Sequence, residues 1–209
     1  MFNRYFCLVV STTLCALAFH APDTSAQSRR AYSPVPTLNK LYAFQQKHGT
    51  VSYASGFGLT RFDDDTPLEA GWSRDPAFLG SLYPFARATG NGSFYAIWRI
   101  HPGDNLSRSP IVLFGGDGSE YVVAQNVEEL LSLVMVDSEP TVDDDDLAAF
   151  VRPGSGYRAS PAFPAYSEWV EDSYPVVVNR APDVIVKRAQ VRYGPAFKKW
   201  KKRYVKRKR

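Results

Sequence analysis

Three short apolar runs and then a run with a helical period follow one another between Gly92 and Val136, and this order constrains the fold more than anything else in the chain. Ser93-Phe94-Tyr95-Ala96-Ile97-Trp98-Arg99-Ile100 is dense in aromatic and β-branched side chains, which suit a pleated strand. After a polar loop from His101 to Ser109 comes Ile111-Val112-Leu113-Phe114, apolar at every position, as a central strand must be when both its faces are covered. Gly115-Gly116-Asp117-Gly118 is a turn, and Glu120-Tyr121-Val122-Val123-Ala124 is a third strand, so the last two predict a hairpin. Asn126 then stands as a helix cap with Glu129 three residues on as its capping-box partner. Leu130, Leu131, Val134 and Met135 give that helix an apolar face.

The rest of the chain reads less sharply. Thr37 predicts the cap of a helix through Leu38, Leu41, Tyr42 and Gln45, with Gly49 as its stop. Val51 to Phe62 reads as strand-like. Asp75 to Ala86 reads as a short helix broken near Pro84, or as an aromatic loop. Tyr166 to Tyr174 predicts a helix with Trp169 and Val170 facing inward. Pro182-Asp183 opens another through Ile185, Ala189 and Tyr193. Gly194-Pro195 should interrupt it, and Pro195 should start a further helix carrying Phe197, Trp200 and Tyr204 on one side. With 209 residues, 44% of them hydrophobic, the chain is long enough for one domain with a substantial core.

Residues 1–26 are expected to be an export signal. Arg4 supplies the positive start, Tyr5 to Phe19 the uncharged apolar stretch, and Thr24-Ser25-Ala26 the small residues before a cut at Gln27. The apolar run is shorter than the roughly 20 residues that a membrane span needs. Gln27 to Pro36 reads as a linker, 37–205 as the domain and 206–209 as a basic end. Cys7 and Cys15 both lie in the signal, so the mature chain would have neither disulfides nor thiol nucleophiles, and its expected location is periplasmic or extracellular.

Neither catalysis nor a cofactor or metal is expected from the motifs. The glycines at 115–118 lack the Lys-Ser/Thr of a phosphate loop. Asp63 to Asp65 and Asp143 to Asp146 lack the glycine and final glutamate of a calcium loop, and read as solvated acidic segments. His48 and His101 fall in no metal-binding pattern, and no serine sits in a nucleophile elbow.

Charge is segregated along the chain. Residues 27–183 hold 12 basic and 20 acidic side chains, a net of −8, whereas 184–209 hold 12 basic and no acidic ones, a net of +12. Lys198, Lys199, Lys201, Lys202, Arg203, Lys206, Arg207, Lys208 and Arg209 are the candidate partner-binding residues. They fit an anionic wall polymer or membrane surface, with nucleic acid the least expected partner. Because Phe197, Trp200 and Tyr204 fall at helical spacing, a helix packed on the domain is favoured over a free arm.

The stretch from Gly90-Asn91-Gly92-Ser93-Phe94-Tyr95-Ala96-Ile97-Trp98 through Pro110-Ile111-Val112-Leu113-Phe114-Gly115, Asp117-Gly118, Val122-Val123-Ala124 and the helix 126–133 resembles the SUKH superfamily. This is the Smi/Knr-type domain of bacterial immunity proteins and fungal wall regulators. Tyr166 to Val170 is similar to the family's following Tyr-x-x-Trp-Val helix. The resemblance implies a single α+β domain with a central mixed or antiparallel sheet flanked by helices. It also implies a non-catalytic binding module, many bacterial members being thought to neutralise protein toxins. The expected function is therefore an exported SUKH-like binding module, an immunity or inhibitor protein with a protein partner. The alternative is an envelope-associated protein held by its cationic tail, and a secreted carboxylate-based hydrolase is the least expected reading.

Overall fold

The computed structural model describes residues 31–205 apart from 51, 143–147, 153 and 179. The expected export signal with Cys7 and Cys15, the beginning of the linker, Asp143 to Asp146, and Lys206, Arg207, Lys208 and Arg209 lie outside the described residues.

In chain order the elements are α1 (Pro36–His48), β1 (Gly58–Leu59), α2 (Thr66–Gly71), α3 (Pro76–Leu79), β2 (Leu82–Arg87), β3 (Phe94–Trp98), a 3-10 turn at Leu106–Arg108, β4 (Ile111–Phe114) and β5 (Glu120–Ala124). There follow α4 (Val127–Val134), the short pair β6 (Thr141–Val142) and β7 (Ala148–Ala149), α5 (Phe163–Ser173), α6 (Pro175–Val178) and α7 (Pro182–Lys201).

The fold is α+β. β1 to β5 form one sheet in sequence order, and every neighbouring pair is antiparallel. Successive side chains point to opposite faces. Phe85, Tyr95, Ile97, Ile111, Leu113 and Val123 enter the larger core, together with residues of α1, α4 and α5. Leu82, Phe94, Ala96, Trp98, Val112, Phe114 and Val122 enter the other, together with Leu68, Phe78, Phe197 and Trp200. With both faces covered, β3 and β4 are buried at every position, which is why their sequences run apolar without alternating. The β4–β5 hairpin pairs Val112 with Val122 and Leu113 with Tyr121, as expected.

Several local expectations are corrected. α1 begins at Pro36 behind Val35, so Thr37 lies inside the helix and does not cap it. No side chain caps the helix; Asn39 instead ties down the segment before it, accepting from the Ser33 amide at 2.8 Å and donating to the Ser33 carbonyl at 2.9 Å. The described end of the supposed linker is packed down: Tyr32 stacks on Tyr42 at 4.7 Å, and its hydroxyl donates to the Thr60 and Phe85 carbonyls. Between 52 and 62 only Gly58–Leu59 is strand. Gln45 takes the place of a strand partner there. Its side chain accepts from the Leu59 amide at 2.7 Å and from the Tyr53 hydroxyl at 2.8 Å, and donates to the Leu59 carbonyl at 3.2 Å.

The stretch 75–86 is neither a broken helix nor a loop but one turn of helix followed by strand β2. Pro84 misleads because proline cannot donate to a ladder, and here it sits at a bulge that shifts the register before Ala86. Finally, α7 is one helix with Pro195 inside it, not two. The missing N–H frees only the Val191 carbonyl, on the exposed side of the helix, and the burial of Phe197 and Trp200 holds the helical path beyond it.

Candidate functional site

The site foreseen in the sequence is the cationic end of α7, and its position follows from how the helix is held. Ile185, Val186, Ala189, Phe197 and Trp200 recur at the 3.6-residue period and are buried. Trp200 stacks on Phe78 at 5.2 Å, and Phe197 meets the Trp98 ring edge-to-face at 5.0 Å. Tyr204 extends this cluster, 5.3 Å from Trp200, and its carbonyl accepts from the Ser73 hydroxyl at 3.3 Å. The aromatic residues of the basic segment therefore belong to the core, as their spacing foretold.

Four cations tie the helix region to the body. Arg180 and Arg188 both pair with Glu129, which is nearly buried. Arg192 donates to the Gln125 side chain at 2.9 Å. Lys201 pairs with Glu120. Arg192 thus sits beside the end of β5 and Lys201 beside its start, so α7 runs antiparallel to this edge strand and covers it. The nine-residue separation spans about 13 Å of helix, close to the roughly 16 Å of a five-residue strand. An edge covered in this way is closed to further strand pairing.

Lys198, Lys199, Lys202 and Arg203 are brought together on the exposed side of the helix end, and no ion pair involves them among the described residues. Lys201 does not join them, because its ammonium turns to Glu120. Lys187 was missed as a site residue. It lies on the same exposed stripe as Lys198 and Lys202, eleven and fifteen residues before them, with Val191 between at 73% exposure. Reading α7 as continuous through Pro195 would have revealed this stripe, which is about 22 Å long. Lysines in a final helical turn also offset the negative end of the helix dipole, a local effect of about 0.3–1 kcal/mol each. That accounts for lysines near residue 200, and Asp183, four residues before Lys187 in the first turn of α7, offers Lys187 a favourable neighbour on the helix.

The other residues singled out in the sequence have structural surroundings. In the glycine-rich turn Asp117 accepts from the Ser119 amide at 3.0 Å and hydroxyl at 2.6 Å, and these bonds hold its carboxyl below the usual carboxylate range. Gly116 is required there, since a side-chain carbon would lie 2.8 Å from the Asn91 carbonyl oxygen. Asp64 accepts from the Thr66 hydroxyl and amide at the start of α2. Burial raises the carboxyls of Asp63 and Asp65, and for Asp65 the neighbouring Asp63 charge adds to it. His48 stacks on Phe44 at 4.3 Å, and His101 stands in a loop closed by its own amide on Asp104. Among the described residues no three His, Cys, Asp or Glu side chains converge as a metal site would need, and no helix is long and apolar enough to cross a membrane.

The sheet and its covering helix thus define an α+β domain with a cationic outer face. No family model matches the chain, and neither a curated protein nor a solved structure matches it.

Proposed function

We propose that this chain is an exported, non-catalytic binding module whose working surface is the outer face of α7, and that its partner presents negative charge. The observation that carries this reading is the division of labour within α7. The aromatic side is committed to the core, while Lys187, Lys198, Lys199, Lys202 and Arg203 are exposed and in no ion pair among the described residues. Such a face gains its binding energy from an anionic surface brought close, and its range is set by screening, about 8 Å at physiological ionic strength. The SUKH-like run of Gly90 to Leu133 favours an acidic protein as that partner, in an immunity or inhibitor role. A second reading, attachment to anionic envelope polymer or lipid, is favoured by the packing of lysines at one end of the helix.

The test is a fourfold variant, Lys198→Gln, Lys199→Gln, Lys202→Gln and Arg203→Gln, compared with wild type for retention on native envelope and on vesicles containing anionic lipid. Retention should fall by an order of magnitude or more while unfolding stays cooperative, with the melting temperature lowered only by the lost compensation of the helix dipole. Equal retention of the two proteins would remove this face from the function. Retention far stronger on envelope than on protein-free vesicles or wall polymer would select the protein partner.

A further inference from the structure

A second surface lies between α1 and α5. The two helices run antiparallel: the Ala162 amide donates to the Ser52 carbonyl at 2.7 Å at one end, and the Lys40 ammonium lies 5.9 Å from the Tyr174 ring centre at the other. Between them is an open groove of about 600 Å³. Its floor is aromatic, with Phe44 5.3 Å from a half-buried Trp169, and Ala43 and Ala165 keep its rims low. Its walls are oppositely charged. α1 contributes Lys40 and Lys47, and α5 contributes Glu168 and Asp172, all four exposed and none in an ion pair among the described residues.

We infer that this face is the interface of a two-fold homodimer. A two-fold axis in the plane of the interface and parallel to the helices lays α1 of one copy over α5 of the other. Because α1 and α5 are antiparallel, this brings Lys40 of one copy opposite Asp172 of its mate, and Lys47 toward Glu168. The symmetry repeats both pairs, so four complementary contacts surround two apposed Trp169 rings. An axis perpendicular to the helices would set lysine on lysine and carboxylate on carboxylate, so the charge pattern selects one geometry and rejects the other. The low alanine rims allow helices to approach to the usual 8–10 Å or so between axes. A partner of uniform charge fits this face poorly, since one wall repels it.

The experiment is analytical ultracentrifugation of the full chain purified from its own host. Wild type should sediment as a dimer at micromolar concentration, with its mass halving on dilution. Two variants are then made, Lys40→Glu with Lys47→Glu, and Glu168→Lys with Asp172→Lys. Each alone opposes like charges across both halves of the interface and should be monomeric. Mixed in equal amounts they regain opposite charges in both halves and should return to the dimer mass. A monomeric wild type overturns the proposal, and so does a variant that stays dimeric or a mixture that stays monomeric.

Discussion

Glu129 is almost fully buried, and its carboxylate is nonetheless well served. One oxygen accepts the Gln125 amide at 3.0 Å, and the other pairs with Arg180 and Arg188. The Asn126 side chain caps the Glu129 amide as the sequence predicts, but the return bond goes to Gln125, one residue before the cap, and the same carboxylate fastens α4 to the α7 region. Glu129→Ala should cost about 3 kcal/mol by stripping charge-assisted bonds from a buried site, measurable by urea unfolding. Val112→Asp should cost on the order of 3–5 kcal/mol, because Val112 is fully buried between β3 and β5 and an aspartate there has no partner. The acidic loops give opposite pH signs. The Asp117 carboxyl is depressed, so its contribution is complete above the unfolded carboxylate range and is lost as pH falls through the depressed value. Asp117→Asn should flatten the acid limb of a plot of melting temperature against pH. The Asp65 carboxyl is raised, so folding favours its neutral form, and stability is lost as pH rises through the raised value. Asp65→Asn should raise the melting temperature at neutral pH and leave it unchanged in acid.

Elements were legible where one cause made them and obscure where two competed. β3 and β4 announce themselves because burial on both faces of the sheet writes unbroken apolar runs, β5 because Val122 to Ala124 follow a glycine turn, and α4 because Asn126 marks its start. β2 was hidden because Pro84 argues against a strand unless a bulge is known to be there. The 52–62 segment was misread because its aromatics serve the core without a ladder, their polar groups being met by Gln45. The site was legible in its aromatics and most of its lysines. It was not legible in Lys201, whose partner Glu120 is distant in sequence, nor in Lys187, whose place on the stripe depends on α7 passing through Pro195. Pro195→Ala should therefore stabilise the protein, by up to about 3 kcal/mol, since it restores the bond to the Val191 carbonyl and removes an unfavourable residue from a helix interior. Phe197→Ala should cost about 3–5 kcal/mol, since the ring is wedged between Trp98, Phe114 and Trp200. A melt unaltered by that change would mean that the helix end is not docked as described.

At the scale of the molecule the charge segregation read from the sequence becomes a difference between surfaces. Internal pairing consumes Arg180, Arg188 and Lys201, and within the basic final segment Lys187, Lys198, Lys199, Lys202 and Arg203 are left exposed on the outer side of α7, in a chain whose remainder carries net negative charge. The same packing that makes the aromatics unavailable for insertion into a bilayer leaves this face with electrostatic attraction as its means of binding. The most direct measurement is the salt dependence of binding to vesicles with and without anionic lipid, for wild type and the fourfold glutamine variant. Wild type should bind the anionic vesicles at low salt and lose that binding steeply as ionic strength rises past the physiological value, while the variant binds weakly throughout. Binding that ignores salt, or that is as strong on neutral vesicles, would contradict the account.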